Sequence, residues 1–146
     1  MLTNATIYIA DPSMMGSRFF DRIPDIKSFE SISEGPTATG VRFRLPWGSV
    51  TMNFMPPGDL QEHLRRFSGY AQHIIADQDT LVYTLARIRN VRMSLGCVID
   101  HEESDLKEVL SFLFNFSGNM NGLLFFEDSI FDFTWEPLGG PACEKQ

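Results

Sequence analysis

The chain has 146 residues, of which 43% are hydrophobic, 12% aromatic and 21% charged, and its net charge is −7. That length suits one domain, or two small halves sharing one core, and needs no disulfide or metal to fold. The composition excludes a disordered chain, and the charge is uneven: residues 1–57 are neutral, residues 58–92 carry +1 and residues 93–146 carry −8. Such an acidic last third repels nucleic acid and membrane headgroups and suits a basic partner.

Cys97 lies in an apolar run and Cys143 near the end, and neither belongs to a CxxC pair. A buried thiol and a tail thiol fit a reducing compartment. The opening residues lack the basic region and cleavage site of a signal peptide. No apolar run reaches the roughly 20 residues of a membrane span. The expectation is a soluble cytoplasmic protein with no cofactor.

In chain order, NATIYIAD alternates Ala5, Ile7 and Ile9 against Thr6 and Tyr8, the pattern of a strand. Asp11, Pro12 and Ser13 stop it, and a helix is expected over residues 14–22, ended by Pro24. Residues 25–40 read as a loop. VRFRL and VTMNF then alternate about the turn PWGS, which makes a β-hairpin. Asp59 with Glu62 resembles a capping box, and Leu60, Leu64, Phe67, Ala71 and Ile74 follow at helical spacing. A second helix, capped by Asp79 or Thr80, carries Leu81, Leu85 and Ile88 on one face.

VRMSLGCVI is the clearest strand, with Val91, Met93, Leu95, Cys97 and Ile99 on one side. Ser104 or Asp105 opens a helix that Gly118 closes. GLLFF and IFDFTW form a second hairpin about the turn EDS, and residues 137–146 read as a loose tail.

Residues 4–57 and 91–136 thus share the order strand, helix, strand, strand, with residues 58–90 as a helical connector. The fold class expected is α+β: two βαββ-like units, a mainly antiparallel sheet and helices packed on one face. In order of elements alone this is similar to paired modules such as the gyrase-inhibitor-like ligand-binding domains.

Chemistry is sought first where carboxylates crowd. Asp100, Glu102, Glu103 and Asp105 surround His101, a set that six consecutive residues cannot converge on one ion, so helix capping is the preferred reading. His63 and His73 stand about 15 Å apart along one helix and cannot share a metal. No GxSxG elbow or comparable nucleophile motif is present. In FFEDSIFDF, Glu127 and Asp128 belong to a turn, while Asp132 sits between Phe131 and Phe133 on the other strand face. The stretch is read as a solvated turn, with Asp132 the one residue to check for a specific partner.

A non-enzymatic binding or interaction domain with an acidic C-terminal surface is therefore the expected function, with a small-molecule-binding module as the alternative and an enzyme of unrecognised class as the further one. Asp100, Glu102, Glu103 and Asp132 are the candidate protein-binding residues. For the alternative, a small-molecule pocket between the halves, Tyr70, His73, Trp47 and Trp135 are the candidate lining. A homodimer is among the possible partners. Arg87, Arg89 and Arg92 are expected to balance the acidic last third, within the chain or between subunits.

Overall fold

The structure is a computed structural model that describes residues 1–14, 23 and 26–145. The helix expected over residues 14–22 falls outside these, apart from Met14, which ends a 3-10 turn at Pro12–Met14.

At the centre, β1 (Leu2–Ile9) and β5 (Met93–His101) run antiparallel along their full lengths, from Leu2 opposite Asp100 to Ile9 opposite Met93. A meander of β2 (Ser28–Glu34), β3 (Thr37–Leu45) and β4 (Gly48–Phe54) docks on β5 through β4. A second meander of β6 (Leu123–Phe126), β7 (Ser129–Phe131) and β8 (Pro137–Gly139) docks on β1 through β6. The result is one antiparallel sheet in the order β2-β3-β4-β5-β1-β6-β7-β8. Each central strand is flanked by the meander of the other half, so the halves interlock. The first meander travels from the sheet edge inward and the second from the centre outward.

Among the described residues, three α-helices complete the α+β fold: α1 (Pro57–Ile74), α2 (Gln78–Arg89) and α3 (Leu106–Asn119). Val109, Phe112, Leu113 and Phe116 of α3 bury one sheet face, against Ile7, Phe43, Met52 and Cys97. Leu64, Phe67 and Ala71 of α1, with Ile88 of α2, cover Tyr8, Leu123 and Ile130 on the other face. The helices thus divide between the faces, where a single covered face was expected. The reason is local: Tyr8 lies between Ile7 and Ile9, and all three are buried, so β1 needs cover on both sides.

Several element ends differ from expectation. β2 lies in the segment expected to be loop: SFESISE is polar, and in the sheet its side chains are almost all exposed. As an edge strand it needs no apolar face, and its two glutamates and the bulge at Ile32/Ser33 discourage further pairing. The tail is not loose: β8 pairs with β7, and the Ala142 amide donates to Ser129 Oγ at 2.9 Å. Gly140 has φ +99°, and a Cβ there would collide with the Asp128 carbonyl.

Helix starts were displaced too. α1 begins at Pro57, which leaves Asp59 inside its first turn and uses Glu62 to pair Arg65 and Arg66 instead of capping. Asp77 caps α2, accepting from the Thr80 amide at 2.9 Å. α3 follows a 3-10 turn at Glu103–Asp105 without a side-chain cap and runs one residue past Gly118. Glu127 and Asp128, at φ 47° and 65°, are the two residues of the β6–β7 turn, the left-handed pair that a tight hairpin requires. Among the described residues no helix is long and apolar enough to cross a membrane.

Candidate functional site

Two places gather the residues singled out in the sequence, and each joins a tryptophan to carboxylates. The first is the loop between β7 and β8. Its closure comes from the Asp132 amide donating to the Glu136 carbonyl at 2.9 Å and the Trp135 amide donating to the Asp132 carbonyl at 3.0 Å. Asp132 is only 7% exposed. Its Oδ1 accepts from the Phe133 amide at 2.9 Å, and its Oδ2 accepts from the Tyr83 hydroxyl at 2.6 Å. Burial, then the Asp132 carboxylate, raise the Tyr83 pKa, which keeps that hydroxyl a donor.

Arg87 stands one helical turn beyond Tyr83 on α2. Its guanidinium lies 3.8 Å from Asp132 Oδ1 and 5.2 Å from the centre of the Phe133 ring, within cation–π reach. It also donates to the Asn121 carbonyl. Of the three arginines expected to balance the acidic third, Arg87 does so within the chain, while Arg89 and Arg92 are in no ion pair among the described residues. The Arg87 pair also takes Asp132 out of the set available to a partner.

Trp135 reaches the other way. Its Nε1 donates to the Phe114 carbonyl on α3 at 3.0 Å, and its ring tilts against Phe114 at 5.3 Å. Gly118 lets the loop approach, since a Cβ there would sit 3.1 Å from the Phe133 carbonyl. The loop therefore ties α2 and α3, which cover opposite faces of the sheet. Trp135 nonetheless remains 49% exposed, with φ +72°, a conformation unfavourable for a bulky side chain. On α2, Tyr83 is 40% and Val82 57% exposed.

The second place is the β3–β4 turn. Trp47 is half-buried, edge-on to Phe112 at 6.1 Å. Gly48 pairs with His101 so closely that a Cβ would strike the Asp100 carbonyl. That approach sets Trp47 beside the end of β5. Lys27, Arg44, Trp47, Ser49, Asp100 and Glu102 line an open cleft of about 520 Å³ there. Asp100, Glu102 and Glu103 are exposed and, among the described residues, in no ion pair.

His101 is buried behind this cleft. Its Nδ1 lies 2.7 Å from the Glu102 carbonyl, which can only accept, so Nδ1 carries the hydrogen. In the neutral ring, Nε2 then accepts from the Thr3 hydroxyl at 2.7 Å. His101 thus fastens the start of β1 to the end of β5. Among the described residues no three His, Cys, Asp or Glu side chains are grouped as metal ligands would be.

The expected aromatic pocket is not assembled. Tyr70 donates to the Asp128 carbonyl at 2.7 Å and packs edge-on to Phe125, which anchors α1 to the β6–β7 turn. His73 is exposed on the same helix. Trp47 and Trp135 pack on different residues of α3. Sequence reasoning did not single out Tyr83, whose only signal was its i,i+4 spacing from Arg87. Nor did it find the contact between Tyr8 and His63, whose hydroxyl and Nε2 lie 2.8 Å apart. Burial raises the Tyr8 pKa, and burial followed by the nearby Arg66 lowers that of His63.

No protein-family model, no curated protein and no solved structure matches this chain.

Proposed function

We propose that the chain is a non-enzymatic protein-interaction domain whose contact surface is centred on Trp135. One observation carries this reading: a half-exposed tryptophan is held at φ +72° by its amide hydrogen bond to the Asp132 carbonyl and its indole hydrogen bond to the Phe114 carbonyl. Backbone conformations of this kind cost about 1–3 kcal/mol and persist where surrounding structure over-determines them, often at binding sites. The same loop engages Tyr83 through Asp132 and Arg87 over the Phe133 ring, and Trp, Tyr and Arg are the residue types that dominate binding energy at protein interfaces.

Asp132 acts here as a positioning residue. With both oxygens engaged, it fixes Tyr83 and the Phe133 backbone, so little side-chain entropy remains to be lost on binding. The acidic character of the surface comes from exposed neighbours such as Glu136, which favour a partner with a basic rim around an apolar pocket.

The test is quantitative affinity capture from native lysate with the full chain, compared with Trp135→Ala and with Trp47→Ala as a variant of the other surface. The reading expects proteins that Trp135→Ala loses and Trp47→Ala retains, at unchanged circular dichroism, and whose retention falls as salt rises. The same proteins bound equally by wild type and Trp135→Ala would overturn it.

A further inference from the structure

The Trp47 cleft is separate from the Trp135 surface and has a different chemistry. Strand register sets its charges: Arg44 on β3 lies opposite Ser49 on β4, which lies opposite Asp100 on β5. Neighbouring strands stand about 4.8 Å apart, so the Arg44 and Asp100 Cα atoms are about 10 Å apart across a small hydroxyl side chain. Lys27 joins the basic wall, its amide donating to the Arg44 carbonyl at 2.8 Å. Glu102 extends the acidic wall.

Among the described residues the two walls do not neutralise one another. The carboxylate paired with Arg44 is Glu30, at 3.7 Å, on β2, across β3 from Ser49 and Asp100. A ligand of one sign meets attraction from one wall and repulsion from the other. A ligand carrying both signs, at the right spacing, is attracted by both. Trp47 adds an aromatic surface for methylene groups or for an ammonium.

We propose that this cleft binds a short zwitterion, its anionic group toward Arg44 and Lys27 and its cationic group toward Asp100, Glu102 and Trp47. A short chain with one charge at each end can lie between walls whose Cα atoms are about 10 Å apart. Dipeptides and ω-amino acids are the chemical class that fits.

The experiment is a titration of the full chain with ε-aminocaproate, followed by amide and indole NMR. Hexylamine, hexanoate and glycine serve as single-charge and short controls. Binding of ε-aminocaproate should move the Trp47 indole and the Ser49 and Asp100 amides, about tenfold more tightly than any control, the equivalent of one added charge contact. Arg44→Gln and Asp100→Asn, both at exposed positions, should each remove that advantage while leaving the rest of the spectrum in place. Equal affinity for hexylamine or hexanoate, or an unchanged Trp47 indole, would overturn the proposal, and both readouts need only the wild-type chain. Failure here would leave the Trp135 surface untouched, since no residue is shared.

Discussion

The Trp47 corner and the Trp135 loop are made from the same residue types with their exposures exchanged. At the corner the tryptophan is half-buried and the carboxylates Asp100 and Glu102 face solvent. In the loop the carboxylate of Asp132 is buried and the tryptophan is half exposed. Helical partners decide the difference. α2 supplies Tyr83 and Arg87 to pair Asp132, whereas no cation of the described structure pairs Asp100 or Glu102. A carboxylate with partners becomes a brace, and one without them is left as a surface group.

Removing the brace should have the largest effect. Asp132→Ala strands Tyr83 and Arg87 and frees the loop, and is expected to destabilise the fold by about 3 kcal/mol in urea unfolding. Asp100→Ala should leave stability unchanged, and equal losses from the two would erase the contrast. Gly140→Ala, which forces a side chain into the left-handed region and onto the Asp128 carbonyl, should cost about 2 kcal/mol. An unchanged unfolding midpoint there would mean that β8 does not hold the far end of the loop.

Tyr83→Phe is expected to lose about 1 kcal/mol, below the usual range for a bond to a charged group because Tyr83 is 40% exposed. It should also change the alkaline limb of stability. A tyrosine whose folded pKa is raised stabilises below its unfolded pKa of 10.0 and loses that contribution as pH climbs through the folded value. Thermal melts above pH 10 should therefore fall less steeply for Tyr83→Phe than for wild type.

The smallest effect is expected on the covered face away from both tryptophans. His63 is depressed in the fold, so its contribution is complete above the unfolded value of 6.5 and fades as pH falls below it. Replacement by Gln should flatten the dependence of the melting temperature on pH between neutral and mildly acidic conditions. An unaltered slope would mean that the Tyr8–His63 contact contributes nothing through protonation.

What could be read in the sequence follows from how local each cause is. Strict alternation marked β1, β4 and β5 and most of β3, and the two-residue turn at Glu127 and Asp128 lay inside the expected hairpin. β2 escaped because an edge strand needs no apolar alternation, and β8 because three residues carry no period. The division of helices between the faces was encoded by Tyr8, an aromatic that looked outward-facing until α1 covered it. Asp132 could be identified as needing a partner, since it lies between phenylalanines. The identity of that partner could not be read, because α2 meets the loop only through the tertiary fold.

The most direct test of the Trp135 surface is the unfolding free energy of Trp135→Gly. If Trp135 is held against its backbone preference for binding, glycine should relieve the positive φ and offset the lost ring contact with Phe114, keeping stability within about 1 kcal/mol of wild type. A loss of about 3 kcal/mol or more, the range for truncating a core aromatic, would show that Trp135 serves the fold and would contradict the account.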